Sequence, residues 1–279
     1  MLDIIIPSYN GEDYILRTLE SIQKQSFTTY RCIIIDDNSK DQTPQIIDAF
    51  CQKDTRFELH RKPYSIPKGA GFSRQYGYEL SDNPYVYWFD SDDIMLEDNL
   101  QVKMNHLLSH PETDYVLSPQ QRISYDLTEL GSVNRVEVTD DIVNDYFIGK
   151  TAFYVQSTIW KREALKRANM TWHAGSIDDW DFNMQAIHQE LNRKVLTTPY
   201  VWYVKTPNSI MRRHQNYSDN EIRDELKFKY KWFKIAKLNK TSLTLLQERL
   251  IKIIKRASIN NKLKATAFLS LVVYRKLWA

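Results

Sequence analysis

Short apolar runs and helical patterns alternate through the first hundred residues. Residues 2–6 form a continuous apolar run stopped by Pro7, the mark of a short buried strand. Residues 12–25 follow, with Ile15, Leu19 and Ile22 at helical spacing. Residues 30–35 read as a second buried strand, and Thr43 with Pro44 behind it opens a helix to about Phe50. A strand over 57–60, a helix over 69–80, a strand over 85–89 and a helix over 97–108 complete the series. Strands alternating with helices predict βαβ units, so the fold class is α/β with a mostly parallel sheet flanked by helices.

Beyond Pro111 the pattern shortens. Residues 115–117, 121–125, 133–138 and 151–156 read as short strands, 179–190 as a helix, and 194–204 as one strand rich in Val, Tyr and Trp. From Glu221 the chain is Lys-rich and helical in pattern, with little Gly or Pro. No repeat or low-complexity tract interrupts it. Composition supports one boundary, giving a body over 1–220 and a basic amphipathic helical tail over 221–279.

Charge sharpens that boundary. Residues 1–220 hold 23 Lys plus Arg against 31 Asp plus Glu, and residues 221–279 hold 15 against 4. An acidic body with a basic end points to an anionic surface as partner for the tail. Apolar content of 42% with 13% aromatics is enough for a large core and argues against general disorder. Cys32 and Cys51 are too few for a disulfide scaffold or a cysteine metal cluster, which favours a reducing, cytoplasmic setting. No charged n-region with an apolar stretch opens the sequence, and no apolar run reaches the roughly 20 residues of a spanning helix.

The candidate chemistry lies where the predicted strands end, the edge at which open α/β sheets gather functional groups. The first strand ends in Pro7-Ser8-Tyr9-Asn10, the second in Asp36-Asp37-Asn38-Ser39, the fourth in Asp90-Ser91-Asp92-Asp93. Five carboxylates brought to one edge repel one another unless a hard divalent cation and phosphate oxygens join them. The two acidic runs also have a plain reading as capped turns, and alone Asp-Ser-Asp-Asp is more often that. A carboxylate at Asp37 suits the N–H of a pyrimidine. Tyr9 suits the face of the base, though an ordinary strand-end aromatic reads the same way. No glycine fingerprint for phosphates is present, so basic side chains such as Arg74 are the candidates for that role, against the blander reading of a solvated helix charge.

Asp178-Asp179-Trp180-Asp181 forms a second acidic cluster at a predicted helix start. The helix dipole accounts for one Asp there better than for three. A carboxylate here suits a general base for an acceptor hydroxyl, and Trp180 suits either a sugar face or the core. Arg212, Arg213 and His214 follow the Trp/Tyr-rich strand, with His214 a possible ligand and by itself a weak one.

Taken together, residues 4–10, 25–27, 32–41, 88–93, 178–182 and 212–218 resemble the family 2 glycosyltransferases in order and spacing. That resemblance makes the expected α/β fold a GT-A type, with a Rossmann-like mixed, mostly parallel sheet. The resemblance implies that Pro7, Ser8, Tyr9 and Asp37 line the nucleobase pocket, usually for uracil. It implies that Arg74, Asp90 and Ser91 also serve the nucleotide, that Asp92 holds Mn2+ or Mg2+ on the diphosphate with His214 near the diphosphate or as a ligand of the metal, and that Asp179 is the base of an inverting transfer. Asp178 and Trp180 fall on the sugar and acceptor side. Asp178 replaces the family's usual Glu, and Gln75 and Tyr76 depart from the family's common residues, which leaves the sugar open. The processive Gln-x-x-Arg-Trp motif is absent, which argues for single-residue transfer.

The expected activity is transfer from a nucleoside-diphosphate sugar, UDP-linked by resemblance, to a glycan or lipid-linked acceptor in surface polysaccharide synthesis. The alternative is a catalytically inert sugar-nucleotide or glycan-binding module, against which Asp90, Asp92 and Asp179 argue. A nucleotidyltransferase would need a Gly-rich triphosphate loop near the first strand, which is missing. In the tail, Lys227, Lys229, Lys231, Lys234, Lys237 and Lys240 interleave with Tyr230, Trp232 and Phe233. That pattern fits a helix on an anionic membrane surface, or equally a helical hairpin packed on the body with solvated lysines. No nucleic-acid motif is present. The expected location is cytoplasmic, peripheral to the membrane if the tail binds it.

Overall fold

The computed structural model describes residues 1–134, 136–137, 139–173, 175, 177–206 and 218–277. Its first hundred residues follow the alternation read from the sequence. They comprise β1 (Leu2–Ser8), α1 (Ile15–Gln23), β2 (Tyr30–Asp36), α2 (Thr43–Cys51), β3 (Phe57–Arg61), α3 (Ala70–Leu80), β4 (Tyr85–Trp88), β5 (Ile94–Met95) and α4 (Asn99–Ser109). Then come β6 (Tyr115–Leu117), β7 (Gln120–Ile123), β8 (Leu130–Val133), α5 (Ile142–Phe147), β9 (Thr158–Lys161), α6 (Arg162–Arg167), α7 (Asp178–His188), β10 (Arg193–Val195) and β11 (Val201–Val204). The chain closes with α8 (Asp219–Ile235), α9 (Lys240–Arg256) and α10 (Ile259–Leu277).

The main sheet runs β10-β6-β9-β4-β1-β2-β3. β1 lies parallel to both β2 and β4, and β2 parallel to β3. β9 is antiparallel to both β4 and β6, which makes the sheet mixed. A smaller sheet, β5-β11-β7-β8, stands beside it.

The pleat of β1 sends alternate side chains to two hydrophobic layers. Leu2, Ile4 and Ile6 enter the layer under α1, α2 and α4, with Leu19, Ile47 and Met104. Ile5 enters the opposite layer with Trp88, Phe182, and Trp232 and Phe233 of α8. α3 lies close on this second face because Gly77 has no Cβ. A Cβ there would collide with Ile5 and lie 3.2 Å from Ile35 Cγ1.

Four local expectations are corrected. Residues 151–156 hold no strand: a 3-10 turn (Val155–Ser157) leads into β9, which the pattern did not predict. The run 194–204 is two strands, one in each sheet, divided around Pro199. The strand expected over 133–138 lies earlier, at Leu130–Val133. Thr43 is the first residue of α2 rather than its cap, and its N–H and hydroxyl both donate to Asp41 Oδ1, at 3.1 and 2.6 Å.

The basic tail packs on the body. α8 begins with a capping box, in which Ser218 Oγ accepts from Glu221 N at 3.3 Å and Glu221 Oε2 accepts from Ser218 N at 2.7 Å. Ile222, Leu226, Trp232 and Phe233 of α8, Leu246 of α9 and Phe268 of α10 join the same core cluster as Trp88 and Phe182. Arg249 holds Glu225 with two hydrogen bonds of 2.7 Å, tying α9 to α8. Among the described residues, no helix is long and apolar enough to cross a membrane.

Candidate active site

The parallel register delivers the predicted strand-end groups to one edge. Ser8 pairs with Asp36 at the ends of β1 and β2. Ser8 is buried, and its Oγ has no hydrogen-bond partner. Asp37 N donates to Ser8 O at 2.8 Å. The Asp37 carboxylate meets Lys62 Nζ at 2.7 Å and accepts from Gly69 N at 2.8 Å. Asp36 turns back on its own loop and accepts from Ser39 N at 3.2 Å. Pro7 is buried at the strand end, while Tyr9 is 44% exposed with Lys68 Nζ 4.4 Å over its ring.

Arg74 is no solvated helix charge: it is buried and bridges the two acidic clusters. One terminal nitrogen donates to Asp90 Oδ1 at 2.7 Å and the other to Asp178 Oδ2 at 3.0 Å. Its guanidinium lies 4.8 Å from the Trp172 ring centroid. Burial works against the Arg74 charge, but Asp90 and Asp178 outweigh it and hold its pKa above the ordinary value. Gly71 permits this approach. A Cβ there would stand 2.7 Å from Asp178 Oδ2 and 2.9 Å from the His173 carbonyl oxygen.

The turn after β4 is fixed from below. Thr18 Oγ1 on α1 reaches the carbonyls of Ser91 and Asp93, each at 2.8 Å, and Val204 N donates to Asp93 Oδ1 at 2.9 Å. Asp93 therefore faces inward, and burial pushes its pKa well up. Among the described residues the one side-chain donor to Asp92 is Thr206 Oγ1, at 3.3 Å. Burial, then the charge of Asp90, pushes its carboxyl up to about 6. Among the described residues no cationic side chain forms an ion pair with Asp92, and no group of three or more His, Cys, Asp or Glu is arranged to enclose an ion. An under-compensated carboxylate at a polar edge fits a hard cation that keeps water and phosphate oxygens as its other ligands. His214, with Arg212 and Arg213, lies outside the described residues.

Asp178 and Asp179 open α7. Asp178 Oδ1 accepts from Asp179 N at 2.9 Å and Asp179 Oδ1 from Trp180 N at 2.7 Å. Burial lifts Asp178 to about 7 against the pull of Arg74, and burial raises Asp179 as well. The Tyr146 and Tyr154 phenols are raised first by burial and then by the charge of Asp179, which places both within its electrostatic reach. Trp180 packs against Tyr146, with ring centroids 6.0 Å apart, and carries Lys229 Nζ 3.8 Å over its ring.

Lys62, the partner of Asp37 at this edge, is a candidate that sequence reasoning passed over. Its signal is register: Asp36 pairs with Arg61, so the next residue on each strand reaches the same edge. The pairing of Asp181 with Lys231 and Trp232 of α8 was also missed, since nothing local to either segment announces the other.

A Rossmann-like sheet with acidic strand ends, joined through one arginine to an acidic helix start, defines a GT-A fold. The family model described as "Glycosyl transferase family 2" matches residues 3–168, and the chain belongs to that family. It is similar to an uncharacterized glycosyltransferase of Haemophilus influenzae, 33% identical over 110 residues, which are 39% of this chain and 43% of that one. It is also similar to the Escherichia coli UDP-Glc:alpha-D-GlcNAc-diphosphoundecaprenol beta-1,3-glucosyltransferase WfgD, 29% identical over 110 residues, 39% of this chain and 42% of that one. Each match thus spans less than half of the relative. Staphylococcus aureus TarS 1–349, solved in complex with UDP-GlcNAc, superposes with a TM-score of 0.72 at 17% identity, covering 98% of this chain and 81% of that one.

Proposed function

We propose that the chain is a metal-dependent inverting glycosyltransferase that takes a sugar from a uridine diphosphate carrier to a glycan or lipid-linked acceptor, in surface polysaccharide synthesis. The observation that carries this reading is Arg74, which holds Asp90 and Asp178 on one guanidinium, at 2.7 and 3.0 Å. The donor-side and acceptor-side carboxylates therefore meet at one place, as a direct displacement requires.

Pro7, Ser8, Tyr9 and Asp37 bind the nucleobase, and the unpartnered Ser8 Oγ has hydrogen-bonding capacity to give it. Asp90 and Ser91 face the ribose. Asp179, beside Asp178 and Trp180 on the acceptor side, takes the proton of the acceptor hydroxyl as its oxygen bonds to the anomeric carbon. The bond from that carbon to the diphosphate oxygen breaks, and the configuration inverts once. Asp92, with His214, is suited to hold Mn2+ or Mg2+, which neutralises charge on the departing diphosphate when bound. WfgD, whose acceptor by name is a diphosphoundecaprenol-linked sugar, supports an acceptor of that kind. A screen of nucleoside-diphosphate sugars with and without Mn2+ tests the reading. Nucleotide release that needs both donor and acceptor supports it, and binding without turnover for every donor would leave the inert-module alternative.

The same reading sets the enzyme on the cytoplasmic face of an anionic membrane. α10 buries Ala265, Phe268 and Val272 against the body and leaves Ile259, Leu263, Leu271 and Tyr274 exposed, beside exposed Lys262 and Lys264. That outer stripe suits insertion between acidic headgroups. Flotation with phosphatidylglycerol vesicles tests it. The full chain is expected to float and the Leu263→Ser/Leu271→Ser/Tyr274→Ser variant to remain below. Equal flotation of the two would remove the assignment.

A further inference from the structure

We propose that α8 is a positioning element of the active site, holding the first turn of α7 in its working orientation through Asp181. The inference rests on the reading of Asp179 as the base.

Asp181 is fully buried, two residues beyond Asp179. Its Oδ1 accepts from Trp232 Nε1 at 2.6 Å and from Lys231 Nζ at 2.9 Å. Its Oδ2 accepts from His173 Nδ1 at 2.8 Å and from Lys231 Nζ at 3.1 Å. Gln185, one turn along α7, adds a longer contact at 3.3 Å. Burial disfavours the charge, yet the bonds from His173, Lys231 and Trp232 outweigh it and hold Asp181 below its ordinary pKa. Next to it, Lys229 lies over Trp180 at 3.8 Å and donates to Phe147 O at 3.0 Å. Side chains of α8 thus grip the two residues that follow Asp179.

This arrangement is a costly way to pack two helices. A buried ion pair is often no more stable than apolar residues of similar volume, but it is directional. Here the directions fix both the rotation and the axial position of α7. The turn is confined on its other side as well, because the His173 carbonyl and Asp178 crowd the space left by Gly71. Rotation of α7 about its axis would break the Asp181 bonds before it moved Asp179 far. Displacement of a reacting group by about 1 Å can cost about 100-fold in rate.

The test uses the full chain and four readouts: kcat, donor KM, UDP affinity and Tm. Lys231→Met is expected to lower kcat about 10- to 100-fold, with donor KM and UDP affinity changed by about twofold or less. Lys231→Arg, which keeps a donor for Asp181, is expected to recover most of the loss. If Lys231 acts through Asp179, adding Lys231→Met to Asp179→Asn slows the residual reaction no further. Unchanged kcat in Lys231→Met, or losses of kcat, UDP affinity and Tm in parallel that Lys231→Arg does not rescue, would overturn the proposal. So would a multiplicative loss in the double variant. Near-normal turnover of Asp179→Asn alone would instead remove the base assignment, a separate failure read from a separate protein.

Discussion

Asp92 and Asp181 occupy opposite surroundings. Asp92 lies in the turn after β4 with, among the described residues, one weak side-chain donor, and its proton affinity is raised. Asp181 sits in the first turn of a helix, takes bonds from three neighbouring side chains within 3.1 Å, and its proton affinity is lowered. Buried charge is tolerated where it is compensated. A carboxylate the protein compensates itself is part of the framework, and one left short of donors has unused capacity for a ligand. The two acidic clusters look alike in sequence and divide along this line, with Asp178 and Asp179 between the extremes and leaning on Arg74.

The comparison can be broken by substitution. The largest effect is expected from Asp179→Asn, which loses about 10²- to 10⁴-fold in turnover while UDP affinity stays within about twofold. Steady-state kinetics with calorimetry checks both. Asp92→Asn is expected to abolish the Mn2+-dependent part of nucleotide affinity without lowering Tm in the absence of metal. Asp181→Asn is expected to reduce stability by about 1–3 kcal/mol, since its donors lose a charged acceptor. If both variants melt alike without metal, the division between framework and ligand carboxylates fails.

Acidity sharpens the same contrast. The folded pKa of Asp181 lies below its unfolded value, so its contribution to stability is present above the unfolded pKa and lost as pH falls through the folded one. Tm of the wild type is therefore expected to fall more steeply on acidification than Tm of Asp181→Asn. Asp179 is raised by burial, and a base works deprotonated. Hence kcat is expected to be full at higher pH and to fall, on acidification, along a limb above the usual carboxylate range. The smallest effect on turnover is expected at Gly71→Ala, where the added methyl meets Asp178 Oδ2 at 2.7 Å and the His173 carbonyl at 2.9 Å. Overpacking of this kind costs about 1–3 kcal/mol, and a modest loss of kcat with little change in UDP affinity would accompany it.

Much of this was legible beforehand. β1, β2 and β4 are buried on both faces, so they read as continuous apolar runs, and their polar ends marked the site edge. β9 escaped because it is four residues long and fully buried, directly after a turn. The run 194–204 shows strand propensity, but propensity does not say which sheet a strand joins. The aspartates of the site were recognisable as clusters. Their partners were not: Lys62 is a lone lysine until register is known. Lys231 and Trp232 belong to a stretch whose charge pattern also fits solvated or membrane-facing helices.

The two hydrophobic layers also imply an order of events during synthesis. The layer under α1, α2 and α4 draws on residues between Leu2 and Val201, whereas the layer around Trp88 and Phe182 reaches to Val272. A growing chain can close the first layer while the ribosome is still making the helices of the second. The half that carries Asp179 thus matures last, and nascent chains halted before α10 are expected to resist protease on one face of the sheet and to be cut on the other.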